Sequence, residues 1–172
     1  MDDFKHTVPT AGYGQQTKVQ CWYASFKMIF AHAKRNVSEV DSLLKGAQID
    51  IDDCLANGMP DTQYAKACTA LGLEGWSGSK FNKDKSWDDF GVSDGAWAFI
   101  EELKKRPLWV SKCEGKNYHA IVAVGYRDEG DMILWNNPYP GPDNAVEAPA
   151  LYANTFVRII SNASCSVMGK KA

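Results

Sequence analysis

The sequence is poor in the features that mark metal-binding, membrane-spanning and nucleic-acid-binding proteins. Its 172 residues include five cysteines and three histidines, and no two cysteines form a C-x-x-C pair. The apolar runs are strand-sized, as at residues 120–124, whereas a membrane-spanning helix needs about 18 apolar residues. The 19 basic residues do not outnumber the 21 acidic ones. We therefore expect no metal site, no membrane span and no nucleic-acid partner.

The start of the chain also lacks a basic segment followed by an apolar one, so residues 1–5 are not typical of a classical secretory signal. The compartment stays open, and export would need a route that uses no such signal. The hydrophobic content of 45% and the charged content of 23% are typical of a globular chain. The length predicts one domain over residues 1–172.

The first two thirds of the chain carry apolar residues at helical spacing. The pattern predicts a buried helix over about residues 21–34, and further helices that begin at Ser38, near Pro60 and at Ser93. Residues 73–89 are rich in Gly, Ser, Lys and Asp, which is typical of a surface loop.

Beyond Pro107 the pattern becomes that of strands. We predict strands over residues 108–110, 118–126, 132–136 and 157–160, with a hairpin turn at residues 127–130. The fold class is therefore α+β. We expect a helical lobe over about residues 15–106, an antiparallel sheet lobe over about residues 107–161, and helices on one side of the sheet.

Cys21 lies where an irregular polar segment meets the first apolar helix. Unpaired N–H groups and the helix dipole favour a thiolate at such a position, which predicts a lowered pKa and a nucleophilic sulfur. We expect the remaining four cysteines to be buried thiols that pack as small hydrophobic groups; they are Cys54, Cys68, Cys113 and Cys165.

A nucleophilic cysteine needs an imidazole base, and the chain offers three. His32 lies eleven residues along the same helix as Cys21, about 16 Å away at 1.5 Å per residue. His6 lies in a polar N-terminal stretch. His119 begins an apolar strand, where a polar ring needs a partner, and it is the candidate that remains.

The base in turn needs an acceptor that orients it. Asn136 and Asn137 end the strand after the hairpin, and strands joined by a short turn are neighbours, so an amide lies close to His119. Successive side chains point to opposite faces, so only one asparagine serves. Asp128 and Asp131 lie at the hairpin end and are poorer candidates.

Three glutamines precede Cys21, and a side-chain amide can stabilise a developing oxyanion together with the N–H of the nucleophile. Gln20 is adjacent to Cys21 and would have to turn sharply, whereas Gln15 or Gln16 can loop back. Residue chemistry alone does not choose between them.

The segment Q-Q-T-K-V-Q-C-W-Y-A-S at residues 15–25 resembles the start of papain-like cysteine proteases. Residues 106–110 and 118–126 look like that family's strand pair with the catalytic histidine, and N-N-P-Y-P-G at residues 136–141 looks like its third motif. The nearest similarity is to the compact bacterial branch, which includes effector proteases of plant pathogens and bacteriocin-processing peptidase domains. Residues 38–89 show no recognisable motif of the family.

This resemblance implies a papain-like fold whose central helix starts at the catalytic cysteine. In the family a glutamine six residues before that cysteine supplies the oxyanion donor, which implies Gln15. In the bacterial branch the third residue stands directly before proline, which implies Asn137 and leaves Asn136 as the alternative. The order Cys21, His119, Asn137 matches the family.

The implied activity is that of a cysteine protease that cleaves a peptide bond through an acyl-thioester, as in a bacterial effector or toxin. We expect Trp22 and Trp135 to wall the substrate cleft. The partner would be a protein or peptide substrate, with an inhibitor or immunity protein as a further candidate. No cofactor is expected, because the nucleophile, the base and the oxyanion donors all belong to the chain.

Two other activities fit the same residues. A thioester formed on a glutamine side chain gives a deamidase or a transglutaminase, depending on whether water or an amine resolves it. A papain-like scaffold that only binds its partner is the third reading, since a fold does not determine a function.

Overall fold

A computed structural model of the chain describes residues 2–82, 91–139 and 144–171. The helices are α1 (Cys21–His32), α2 (Glu39–Gly46), α3 (Ile51–Asn57), α4 (Tyr64–Ala70), α5 (Asp94–Lys105) and α6 (Ala153–Arg158), with 3-10 turns at Asp61–Gln63 and Gly78–Lys80. The strands are β1 (Phe4–Lys5), β2 (Leu73–Trp76), β3 (Leu108–Glu114), β4 (Asn117–Arg127), β5 (Met132–Asn137), β6 (Val146–Glu147), β7 (Leu151–Tyr152) and β8 (Val167–Lys170). The arrangement of helices around an antiparallel sheet is the predicted α+β class. Across the described residues, no helix is both long and apolar enough to cross a membrane.

The antiparallel sheet runs in the order β2-β8-β3-β4-β5-β6, and β1 and β7 pair with β4 and β5. Strands β3 and β4 form its longest pair and are joined by a two-residue turn. Gly115 in this turn has a φ of +62°, which a residue with a Cβ rarely adopts. The resulting register places Lys112 opposite His119.

Both faces of the sheet are covered by helices. Trp109, Ala120 and Val122 pack in a core with α1 to α4, whereas Val110 and Ile121 pack in a second core with α5 and α6. The prediction that the helices lie on one side of the sheet is therefore wrong. Successive residues of β3 and β4 are apolar, and because they alternate between faces, each face needs its own cover.

The N-terminal segment, residues 4–15, is tied to the same sheet. After β1 pairs with β4, the N–H of His6 donates to the carbonyl of Val124 at 2.7 Å. At the other end of the segment, the N–H of Gln15 donates to the carbonyl of Pro138 at 2.9 Å. Residues that are remote in sequence therefore meet at the end of β5.

The predicted strand at residues 157–160 is wrong, because α6 runs to Arg158. Ala153, Phe156 and Val157 follow the helical spacing and are buried, and Phe156 packs on Phe99 of α5 with ring centroids 5.3 Å apart. Burial of one helical face against α5 outweighs the β-branched residues that suggested a strand.

The predicted loop at residues 73–89 contains regular structure at its start. Strand β2 pairs with β8, and Phe81 is fully buried. The rest of the prediction, residues 83–89, lies outside the described residues. The sheet also includes β1, β2 and β8, whose residues lie outside the range 107–161 predicted for the sheet lobe.

The cysteines other than Cys21 are not all buried. Cys54 and Cys68 are buried as predicted, but Cys113 is exposed and Cys165 is partly exposed. Cys113 lies near the end of β3, where the strand extends beyond the core and its last two residues face solvent.

Candidate active site

Cys21 is the first residue of α1, and it is buried against strand β4. Cys21 is 7% exposed to solvent, and the N–H of Ala120 donates to its Sγ at 3.4 Å. Ala120 directly follows His119, so the helix start and the beginning of β4 meet at this sulfur. Cys21 and His119 line the same cleft.

His119 is oriented by Asn137. Its Nε2 lies 2.7 Å from Asn137 Oδ1, which also accepts the N–H of Tyr139 at 3.1 Å. An amide oxygen only accepts, so Nε2 carries the proton and Nδ1 keeps its lone pair. The turn over Asn137, Pro138 and Tyr139 thus holds the asparagine oxygen, and the oxygen holds the imidazole in one tautomer.

Asn136 does not share the cavity of Asn137 and His119. It pairs with Val122 in the sheet register, is nearly buried, and lines a separate cavity of about 410 Å³ with His6 and Glu147. The alternation of side chains along β5 explains why only one of the two asparagines contacts His119.

Gln15 lies beside the histidine and asparagine. It is buried and lines a cavity of about 230 Å³ together with His119, Asn137 and Tyr139. Its Nε2 donates to the carbonyl of Thr17 at 2.8 Å, which leaves one amide N–H unused, and its Oε1 is buried without a partner.

The other two glutamines are placed differently. Gln16 is exposed, and Gln20 donates from Nε2 to the carbonyl of Leu55 at 3.2 Å. Gln15 shares a cavity with His119, which supports it among the three candidates.

The cleft at Cys21 has a volume of about 640 Å³. Its apolar wall is formed by residues on either side of Cys21 and by the segment that leads into α4. These residues are Val19, Trp22, Met59, Pro60 and Tyr64. Trp22 thus lines the cavity at Cys21, and its role toward a substrate stays a prediction. Trp135 is not among the residues that line this cavity: it packs in the second core, and its Nε1 donates to the carbonyl of Pro149 at 3.0 Å.

Burial governs the ionisation of both reactive groups. It raises the pKa of the Cys21 thiol, and the N–H groups of Ala120, Trp22 and Cys21 itself only partly offset this effect. The sequence-based prediction of a lowered pKa is therefore wrong, because it considered the helix start and not the burial. Burial also lowers the pKa of His119, against the opposing effect of its bond to Asn137. Both effects favour the uncharged forms of the thiol and the imidazole.

An ion pair that the sequence reasoning missed stands beside His119. Lys112 Nζ contacts Glu114 Oε1 at 2.7 Å, and Glu114 reaches the rim of the cleft with a half-exposed side chain. Glu114 raises the pKa of His119 and Lys112 lowers it, whereas burial has the larger effect. The register of the β3–β4 hairpin is the signal that would have found the pair, since Lys112 lies opposite His119.

The chemistry available at this site uses the side chains of the chain itself. Within the described ranges, no group of three or more His, Cys, Asp and Glu side chains is arranged to hold a metal ion. A sulfur, an imidazole with a free Nδ1 and amide N–H donors together suit nucleophilic attack on a carbonyl carbon.

In a comparison with known protein families, residues 4–155 match the family model of the papain-like cysteine protease AvrRpt2. The matched region runs from β1 into α6 and contains Gln15, Cys21, His119 and Asn137. No curated protein matches the chain.

Proposed function

The chain belongs to the family of the papain-like cysteine protease AvrRpt2, and we propose that it hydrolyses peptide bonds with Cys21 as the nucleophile. One observation carries the proposal: the sulfur at the start of α1 lies against β4 beside His119, and His119 is bonded to Asn137 at the end of β5. Asn137 orients the imidazole, and the free Nδ1 of His119 is the base.

The reaction begins when the thiol of Cys21 passes its proton to His119 Nδ1 and the sulfur attacks the scissile carbonyl carbon. The backbone N–H of Cys21 and the unused amide N–H of Gln15 stabilise the oxyanion. The imidazolium then protonates the leaving amine, and an acyl-thioester stays on Cys21. Water, deprotonated by the same imidazole, releases the acid and regenerates the thiol.

The pKa directions favour a proton transfer that accompanies the attack. Burial disfavours both the thiolate and the imidazolium, so a charged pair is costly while the cleft is empty. A bound carbonyl changes this balance, because the charge leaving sulfur is taken up by the oxyanion, which has its own donors.

The cleft indicates which part of a protein substrate it accepts. Apolar side chains of Val19, Met59 and Tyr64 favour an apolar residue beside the scissile bond, since burying it is favourable. Lys18 and Glu114 lie at the same cleft and offer both charge signs to flanking residues. From the resemblance to plant-pathogen effectors, we further propose that the protein acts as a secreted or injected effector on proteins of another cell.

The experiment is a cleavage assay on a proteome-derived peptide library, with new termini mapped by mass spectrometry. We expect wild type to produce new termini, and Cys21→Ser to lose at least about 1,000-fold in rate because the nucleophile is gone. Cys113→Ser is the matched control: it removes an exposed thiol outside the cleft and retains full activity.

Other outcomes would replace the proposal. A mass gain of about 1 Da on glutamine without chain cleavage indicates a deamidase, and glutamine joined to an added amine indicates a transglutaminase. Binding of peptides by wild type and Cys21→Ser alike, with no chemical change, indicates a binding scaffold.

A further inference from the structure

Two cysteines that the proposed mechanism does not use meet at a glycine. Cys68 lies on α4, Cys165 lies just before β8, and Gly75 lies on β2 between them. A Cβ built on Gly75 would stand 2.7 Å from the sulfur of Cys68 and 2.7 Å from that of Cys165. The two sulfurs therefore lie within about 5.4 Å of each other.

Glycine is what permits this approach. Any side chain at position 75 would place its first carbon at a distance that real contacts do not reach from both sulfurs. Strand β2 thus leaves a space that the two thiols share, and this space is filled from one helix and one loop.

The two thiols differ in reactivity. Cys68 is buried, and its Sγ donates to the carbonyl of Leu73 at 3.5 Å. Burial raises the pKa of Cys68 to about 12, and the neighbouring Cys165 contributes a smaller part of this increase. Cys165 is partly exposed and can be reached from solvent. Attack on an oxidant therefore starts at Cys165.

We propose that Cys68 and Cys165 form a redox-active dithiol that a small-molecule disulfide converts into an intramolecular disulfide. The thiolate of Cys165 attacks the oxidant, a mixed disulfide forms, and one small thiolate leaves. The sulfur of Cys68, losing its proton to solvent, then attacks the Cys165 sulfur and expels the second small thiol. One disulfide is reduced to two thiols while two protein thiols become one disulfide.

The bond would join the helical layer to the sheet. Cys68 lies one turn along α4 from Tyr64, whose hydroxyl contacts Ser111 Oγ of β3 at 3.0 Å. One face of α4 is therefore held to the sheet through Tyr64 at its start and would be held through the disulfide near its end. This inference does not depend on the proposed protease activity.

Peptide mapping tests the bond directly. The protein is incubated with oxidised glutathione, its free thiols are blocked with iodoacetamide, and it is digested with trypsin without reduction. Cleavage after Lys and Arg puts each of the five cysteines on its own peptide. We expect peptides 67–80 and 159–170 to be disulfide-linked to each other, with the other three cysteines either alkylated or carrying glutathione. Peptide 159–170 carrying only glutathione, or both peptides alkylated, would overturn the proposal.

Thermal unfolding tests the consequence. Closing a loop of nearly 100 residues restricts the unfolded chain, so we expect oxidised wild type to unfold about 5–10 °C above its reduced form. Cys165→Ser should lose this difference, and Cys113→Ser, which removes an unpaired exposed thiol, should keep it. An equal difference in Cys165→Ser would refute the assignment of the bond.

Discussion

The indole Nε1 of Trp109 donates a hydrogen bond to the backbone carbonyl of Trp22 at 3.2 Å. Trp109 is fully buried on β3, and Trp22 directly follows Cys21 on α1. A second bond runs from Ser25 Oγ to the carbonyl of Ala120 at 3.2 Å. The first turn of α1 is therefore fixed to the sheet at two points just after Cys21, which is what preorganisation of the proposed nucleophile requires.

Asn137→Ala is expected to lower kcat about 100-fold with little change in KM, because the imidazole loses the acceptor that fixes its tautomer. Asn136→Ala is the matched control, since Asn136 lines a different cavity. Steady-state kinetics on a cleavable peptide measure both, and circular dichroism checks that both variants fold. A larger loss of kcat in a folded Asn136→Ala variant would mean that Asn136, and not Asn137, orients the imidazole.

Gln15→Ala is expected to lower kcat about 100- to 1,000-fold through loss of an oxyanion donor. Its stability should change little, because the substitution removes one hydrogen bond to Thr17 but also a buried Oε1 without a partner. Gln16 is exposed and serves as the control, so Gln16→Ala should retain activity. Parallel loss of stability and activity in Gln15→Ala would point to a purely structural role.

Glu114→Gln is expected to change the pH dependence. The carboxylate raises the pKa of Cys21 and that of His119, so its removal lowers both. At a fixed pH below the thiol's pKa, more thiolate is present and alkylation of Cys21 becomes faster. The acidic limb of kcat/KM moves to lower pH, because His119 stays a free base further into acid. Mass spectrometry of peptide 19–27 and a pH–rate profile measure the two effects.

Glu101→Gln serves as the control for charge in general, since Glu101 is exposed on α5 and is not among the residues lining the cleft. It should leave both profiles unchanged. Slower alkylation of Cys21 in Glu114→Gln, or an acidic limb at higher pH, would contradict the assigned influence of the carboxylate.

Arg106→Ala is expected to reduce the free energy of unfolding by about 3 kcal/mol. The guanidinium is almost buried and contacts Glu102 at 3.0 Å and Glu74 at 2.8 Å, joining the end of α5 to β2. Glu74→Gln should cost below about 1 kcal/mol, because that carboxylate is nearly half exposed. Urea titration followed by tryptophan fluorescence measures both, and equal losses would mean that Arg106 acts through Glu74 alone.

The local part of this fold could be predicted from the sequence. Helical spacing identifies the start of α1 at Cys21, and strand spacing with a short turn identifies the pairing of β4 with β5. Neighbouring strands in turn bring His119 and Asn137 together, as the structure places them. Their catalytic roles stay predictions.

The long-range part could not be predicted. Strand β8 pairs with β2, which lies about ninety residues earlier in the chain. β8 has only four residues and no pattern of charges, so its sequence does not specify which strand it pairs with. The strand expected at residues 157–160 fails because α5 buries one face of α6. The prediction of a lowered pKa for Cys21 is wrong for a similar reason. The helix start is visible in the sequence, but the residues that bury the thiol away from water are not.

The tie between the N-terminal segment and the end of β5 has a consequence for biosynthesis. The ribosome releases Gln15 and Cys21 before His119 and Asn137, and the contact between Cys21 and Ala120 spans 99 positions. A nascent chain therefore carries the thiol without its base while the residues between them are translated. Under the proposed mechanism, peptide-bond hydrolysis becomes possible only after β5 has emerged and paired, so the cell that makes the protein is not exposed to a competent enzyme before that point.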